Sequence, residues 1–262
     1  MGSRTQAQQD MPVDRGRGRW LRARYSPVTL FSLRMTHATS KGGKTLVVPT
    51  PYAIKMALIE ASFRYWSGDE AEVRAREVFD WIKWREIRIL PPTQCVVQNT
   101  FLKILDHERD DPTHPFKSTI AYREFVYHHG HLEIAIAAAG LTEDQLVTFS
   151  RLFACINTLG KRGSFWQFHQ VEMHDGELPS AFILDRTKVS PERLPSYLMT
   201  QALDDFGDAL CMAVDGFDRI STYGEKQVTL DEHRILRLSA IPYRRVSASR
   251  RFTWYIRTDV DS

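Results

Sequence analysis

The stretch "LGKRGSFWQF" (159–168) sets Lys161 and Arg162 between Gly160 and Gly163 and runs at once into aromatic residues. Two glycines let a backbone approach a phosphate closely, and the two cations add charge. Phe165, Trp166 or Phe168 could then stack on bases. If a strand begins at Phe165, Ser164, Trp166 and Phe168 share one face, whereas Phe165 and Gln167 share the other, and one of the two sets is core. The alternative is structural, a glycine-capped helix followed by a buried strand.

A second stretch, "YHHGH" (127–131), offers acid and base groups. Tyr127, His128, His129 and the upstream Lys117 would suffice for metal-free RNA cleavage, in which a base activates the 2′-hydroxyl and a cation steadies the phosphorane. His129, His131 and Glu133 share a face if the chain is extended. Gly130 turns it there and no second ligand set follows, so exposed hairpin histidines are the favoured reading and no metal or cofactor is expected. A third stretch, "ATSKGGKT" (38–45), meets a relaxed phosphate-loop pattern, and "SAFILD" (180–185) looks like its magnesium-holding partner strand. The context fails, because such a loop must run directly into a helix and "LVVPTP" follows instead.

The elements that must position these groups follow from periodicity. Residues 1–18 are polar and Gly/Arg-rich and read as a flexible arm. "RWLRARYSPVTLFSLRM" alternates apolar and basic residues, predicting a strand whose cationic face carries Arg22, Arg24 and Arg34. "KGGK" supplies Lys41 and Lys44 on a turn. A helix starts at Thr50 and Pro51, and a second at Asp69. Strands broken at Pro91 and Pro92 lead to a polar excursion around 106–119, then to a hairpin turning near Gly130. Thr142 caps a helix predicted to end at Gly160. The remainder is mixed, with 192–206 helical and 233–256 a terminal hairpin.

With 43% hydrophobic and 26% charged residues over 262 positions, the chain suits one large domain or two small ones. No run is long and apolar enough for a membrane span, and the start has no apolar leader, so no membrane contact and a cytoplasmic location are expected. Cys95, Cys155 and Cys211 lack metal-ligand spacing and read as buried thiols. The net charge of +3 is too mild by itself to identify a polyanionic partner. Its distribution is more informative, with arginines clustered at 15–24 and again at 244–257. The element order fits an α+β fold of ferredoxin-like type with an insertion between two strands and a smaller mixed C-terminal part. The units are a basic arm (1–18), a main domain (19–175) with the excursion around 106–119, and an elaboration (176–262) ending in a basic hairpin.

"VVPTPYAIKMALIEA", "AYREFVYHHGHLEIAI" and "LGKRGSFWQF", in this order and separation, resemble the RAMP-type CRISPR-associated subunit that caps the 5′ end of the guide RNA in Cascade-like surveillance complexes. The resemblance spans roughly 19–167 and implies that 19–175 is an RRM-like RNA-binding domain with a thumb-like hairpin or loop inserted around 106–119. It implies a non-catalytic subunit that grips the repeat-derived 5′ handle and contacts a neighbouring backbone subunit and the large subunit; it leaves open contact with target DNA near the protospacer-adjacent motif. It places Arg22, Arg24, Arg34, Lys41, Lys44, Lys161, Arg162, Ser164, Phe165 and Trp166 toward RNA, and thumb residues His114, Phe116 and Lys117 toward the backbone subunit. In one branch of that family the subunit itself cleaves precursor RNA, so a metal-independent endoribonuclease using Tyr127, His128, His129 and Lys117 stands as the alternative.

Overall fold

The computed structural model describes residues 18–36, 38, 42–107, 113, 115–186, 198–221 and 226–258. Its first strand, β1 (Arg19–Pro27), alternates as expected, with Leu21, Ala23 and Tyr25 buried and Arg22 and Arg24 on the opposite face. It stops at Pro27, short of the expected reach to Met35. Beyond it the described residues make isolated bridges, Phe31 to Val126 and Arg34 to Thr45, before the two-residue β2 (Gly42–Gly43). The phosphate-loop context fails as the sequence indicated, since no helix follows Thr45 until Pro51.

Helix α1 (Pro51–Tyr65) opens with the Thr50 side chain accepting from the Ala53 N–H at 3.1 Å. Helix α2 (Asp69–Ile82) places three acids in its first turn, where they meet the positive end of the helix dipole. Strand β3 (Ile87–Leu90) then ends at the Pro91–Pro92 pair. A long antiparallel hairpin follows, β4 (Gln94–His107) with β5 (Phe116–His129), in unbroken register from Gln94 opposite His129 to His107 opposite Phe116. Fourteen residues at about 3.4 Å each make it about 45 Å long. The polar excursion expected at 106–119 instead has Asp106 and His107 on β4 and Phe116 to Thr119 on β5; this hairpin stands where the thumb was expected and is called the thumb below.

The chain returns as β6 (Leu132–Ala137), helix α3 (Glu143–Cys155) and β7 (Trp166–Asp175). Thr142 and Gln145 form the reciprocal cap of α3. Strands β3, β6, β1 and β7 lie side by side in that order, all antiparallel. With α1 and α3 on one face, this is the β-α-β-β-α-β arrangement of a ferredoxin-like domain, so the α+β expectation holds. Ile134, Ile136 and Leu132 join Leu21, Ala23 and Tyr25 on the helix-covered face. There the Tyr25 hydroxyl donates to the Phe153 carbonyl at 2.7 Å.

Three expected boundaries are corrected. There is no hairpin at Gly130, because β5 pairs with β4 whereas β6 pairs with β1 and β3, so the chain turns a corner between two sheets. Helix α3 ends at Cys155 rather than Gly160, because Ile156 is already extended and Thr158 pairs with Phe165. The segment expected to be helical through 206 instead contains β9 (Met199–Phe206), whose Gln201, Leu203, Asp204 and Phe206 are buried. It pairs along its full length with β10 (Arg234–Ile241), and this tertiary pairing overrides the local helical reading.

Before β9 lies the two-residue β8 (Leu184–Asp185), and after it come the short helices α4 (Asp208–Met212) and α5 (Gly216–Arg219). Strands β8, β10 and β9 form a small sheet. After Pro242 the chain crosses to the thumb, where β11 (Tyr243–Ala248) and β12 (Phe252–Arg257) extend its sheet in the order β11-β12-β4-β5-β2. No helix among the described residues is long and apolar enough to cross a membrane.

Gly130 marks where the thumb rejoins the domain. Its φ is +93°, and an added Cβ would sit 2.5 Å from Thr93 Oγ1 and 3.0 Å from the Thr93 nitrogen. Gly130→Ala is expected to cost about 1–3 kcal/mol, read as a lower denaturation midpoint; an unchanged midpoint would show that the corner relaxes freely.

His128 lies in the core between Phe31 and Trp166, with ring centroids at 5.5 and 5.4 Å. Its Nε2 donates to the Val47 carbonyl at 2.8 Å, and burial pushes its pKa down to about 4. The folded protein keeps this imidazole neutral where the unfolded chain would protonate it. Its contribution is thus fully present above about pH 6.5 and is lost as pH falls toward 4, by on the order of 3 kcal/mol. His128→Gln should remove that part of the acid sensitivity. Urea unfolding at about pH 7.5 and about pH 4.5 checks this, and equal acid sensitivity in both proteins would refute it.

Candidate nucleic-acid interface

After α3 the chain makes a short turn whose tip is Lys161 and Arg162. Gly160 and Gly163 adopt φ of +92° and +94°. Gly160 also needs its missing Cβ, which would lie 2.8 Å from the Phe31 ring and 3.2 Å from the Ser32 carbonyl. Several hydrogen bonds hold the turn from one side. The Lys161 N–H donates to the Ser32 carbonyl at 3.0 Å, the Ser32 N–H to Ser164 Oγ at 3.1 Å, and the Phe165 N–H to Thr29 Oγ1 at 2.8 Å. Thr29 Oγ1 in turn donates to the Gly163 carbonyl. The backbone is thus fixed while the Lys161 and Arg162 side chains project into solvent, without an ion-pair partner among the described residues. The turn faces Thr29, Leu30 and Phe125 across an open cleft of about 380 Å³.

The strand beyond the turn alternates as expected. Phe165 is 44% exposed, whereas Ser164 and Trp166 are buried. Trp166 packs against Phe31 and His128 and has no face to offer a base, which corrects its expected role. Ser164 acts through its bond to Ser32.

The cationic face of β1 is also corrected. Arg22 and Arg24 both reach Glu133 of β6, which stands opposite Arg24; Arg24 Nη2 lies 3.0 Å from Oε1, and Arg22 makes a short bond to Oε2. Arg22 further lies 3.8 Å from Glu172 and 5.7 Å above the Phe182 ring. Leu90, Ala135, Ala181 and Phe182 form a second small core over this face. A carboxylate on the next strand and a covering segment therefore absorb both charges, and neither feature is visible in the β1 sequence. Lys44 is exposed but pairs with buried Glu124 at 2.9 Å, a hydrogen bond that raises the lysine pKa. Arg34 is exposed beside it, and Lys41 lies outside the described residues.

The alternative catalytic set does not assemble. Lys117 stands opposite Asp106 near the thumb tip, ten residues from Tyr127 along one strand, or about 33 Å. His128 is in the core, while Tyr127 and His129 are exposed at the thumb base. Of the thumb contacts, Phe116 is 60% exposed, Lys117 is exposed, and His114 lies outside the described residues.

Sequence reading missed a different polar cluster. Ser26 Oγ lies 3.0 Å from His131 Nδ1 and 2.7 Å from His169 Nε2, and the two imidazoles are 5.0 Å apart. One hydroxyl bridging two exposed imidazoles can accept a proton from one and donate to the other. These residues are far apart in the chain, and only the register of β1 with β6 and β7 brings them together. Among the described residues no group of three or more His, Cys, Asp or Glu could hold a metal ion.

No family model matches the chain. Three solved structures are similar in shape at low identity. A CRISPR protein from Archaeoglobus fulgidus has a TM-score of 0.43 at 11% identity, with 92% of each chain covered. A chain of a CRISPR RNA-guided surveillance complex has a TM-score of 0.38 at 11% identity, covering 92% of this chain and 91% of that one. A chain of a type III-B Cmr-beta complex bound to cognate target RNA has a TM-score of 0.38 at 14% identity, covering 61% of each. In sequence, the chain is 26% identical over 147 residues to a CRISPR-associated protein Cas5 of Archaeoglobus fulgidus, covering 55% of this chain and 60% of that relative. That similarity bears out the resemblance to CRISPR-associated subunits read from the motifs.

Proposed function

We propose that this protein is a guide-RNA-binding subunit of a Cascade-type CRISPR surveillance complex, capping the 5′ handle of the guide and contacting the backbone and large subunits. The observation that carries the reading is the Gly160–Gly163 turn, with a pinned backbone, two unneutralised cations and Phe165 exposed beside them. Such a turn binds phosphate through charge and close backbone approach. The similarity to a CRISPR-associated Cas5 protein supports the same reading. The thumb supplies the subunit contact, since Phe101, Leu105, Phe116 and Ile120 are each more than half exposed on one face of its outer half. Arg22, Arg24 and Trp166 play no direct part. Lys161→Ala and Arg162→Ala should each flatten the slope of log affinity against log salt by about 0.7 for single-stranded RNA. Titration of the purified complex at several salt concentrations measures this, and unchanged slopes in folded variants would refute the loop's role.

A second reading, metal-independent cleavage of precursor guide RNA, is favoured by one observation, the Ser26, His131 and His169 cluster. Two imidazoles at one hydroxyl could serve as general base and general acid. The expected outcome is that the protein leaves a repeat-containing RNA intact with or without EDTA. Site-specific cutting abolished in His131→Ala and His169→Ala would replace the binding reading with the nuclease one.

A further inference from the structure

The thumb sheet presents two different faces. On one, Cys95, Val126 and His128 are buried against the domain, with Glu124 beside them. The other carries two cross-strand rows at the thumb base. Phe252 of β12, Gln98 of β4 and Phe125 of β5 form the first row, and Trp254, Val96 and Tyr127 the second. In each row two aromatic residues flank a smaller side chain, with neighbouring strands about 4.8 Å apart. Tyr127 is 50% exposed and Phe252 38%, while Phe125 and Trp254 are half-buried.

We infer that this face is a stacking platform for single-stranded RNA, continuous with the Gly160–Gly163 turn. The inference rests on the RNA-binding reading above and adds a site to it. Continuity is geometric, since Phe125 lines the same cleft as Lys161 and Arg162, and Phe252 lines an adjoining cleft with Val96, Gln98 and Arg251. Charge identifies the occupant. No Asp or Glu occurs between Glu232 and Asp259, and Glu124 points to the opposite face. Arg244 and Arg251 are exposed at the rim without ion-pair partners among the described residues. Exposed rings bordered by unneutralised arginines suit bases that stack and phosphates that pair, and stacking of this kind tolerates any sequence. A protein partner would be expected to meet this arginine rim with carboxylates of its own.

The test uses the full chain and a fluorescein-labelled single-stranded RNA of mixed sequence. Tyr127→Leu and Phe252→Leu should each weaken binding about tenfold, within the range for loss of one stacked base. They should leave the salt slope unchanged, because no charge is removed. If the double variant keeps its melting temperature and binds RNA like the wild type while Lys161→Ala and Arg162→Ala bind more weakly, the platform is wrong and the function reading survives. If neither pair of changes affects binding, both fail. Photocrosslinking of 4-thiouridine RNA provides a second readout. Adducts on Phe125, Tyr127 or Trp254 are expected, and adducts confined to 160–165 would overturn the inference.

Discussion

The crossing between the two large sheets is the constraint on which the other features depend. Four chain segments converge at Pro91–Thr93, and few side chains fit there. The Tyr243 hydroxyl donates to the Pro92 carbonyl at 2.7 Å, the Arg257 guanidinium to the Pro91 carbonyl at 2.6 Å, and the Arg257 N–H to the Thr93 carbonyl at 2.8 Å. Thr93 Oγ1 then donates to the His129 carbonyl at 2.9 Å, beside the glycine whose Cβ has no room. Two consecutive prolines leave their carbonyls free to accept and remove the N–H groups that would otherwise need partners in this crowded place. Burial in this neck raises the Tyr243 pKa well above its ordinary value, which keeps the hydroxyl a donor. The neck thereby fixes the angle at which the thumb leaves the domain, and with it the placement of Phe125 beside the Gly160–Gly163 turn.

Electrostatics divide the surface in a way that a count of cations does not. Glu133 is largely buried between β1 and the segment covering it, and it holds two arginines that would otherwise face solvent. Taking a carboxylate out of water is unfavourable unless it is paired, so the pairs on this face are structural. Glu124 does the same for Lys44 while accepting from the Thr45 N–H at 2.9 Å. Lys161, Arg162, Arg244 and Arg251 have no such partner among the described residues, and they lie on or next to the aromatic face of the thumb base.

Local patterns were legible where the signal was local. The Thr50–Pro51 cap, the acid-rich start at Asp69, the Thr142 capping box and the Pro91–Pro92 break all lie where the sequence placed them. The alternation at Ser164–Phe168 was also readable, including the division into a core set and an exposed set. What failed depended on partners distant in sequence. Met199–Phe206 reads as a helix until β10 pairs with it, Arg22 reads as exposed until Glu133 crosses over, and Gly130 reads as a hairpin turn although its flanking strands belong to different sheets. Ser26, His131 and His169 gave no signal, because nothing in any one segment marks them as neighbours.

The small C-terminal sheet anchors the thumb's outer strands indirectly. Lys55 of α1 is 1% exposed, and its ammonium lies 2.7 Å from Asp205 of β9, donates to the Lys83 carbonyl at 3.1 Å and sits 5.1 Å from the Phe206 ring. Such a pair costs desolvation and is justified by geometry, since it accepts only one position of β9 against α1. The Gln201 side chain adds a bond from the Val47 N–H at 3.0 Å. With β9 fixed, β10 is fixed by eight paired positions, and Pro242 ends it. The chain then enters the thumb sheet at its edge as β11 and turns back as β12 beside β4, which delivers Phe252 and Trp254 opposite Gln98 and Val96. A helix-to-strand ion pair in one part of the molecule thus determines which side chains line the face in another.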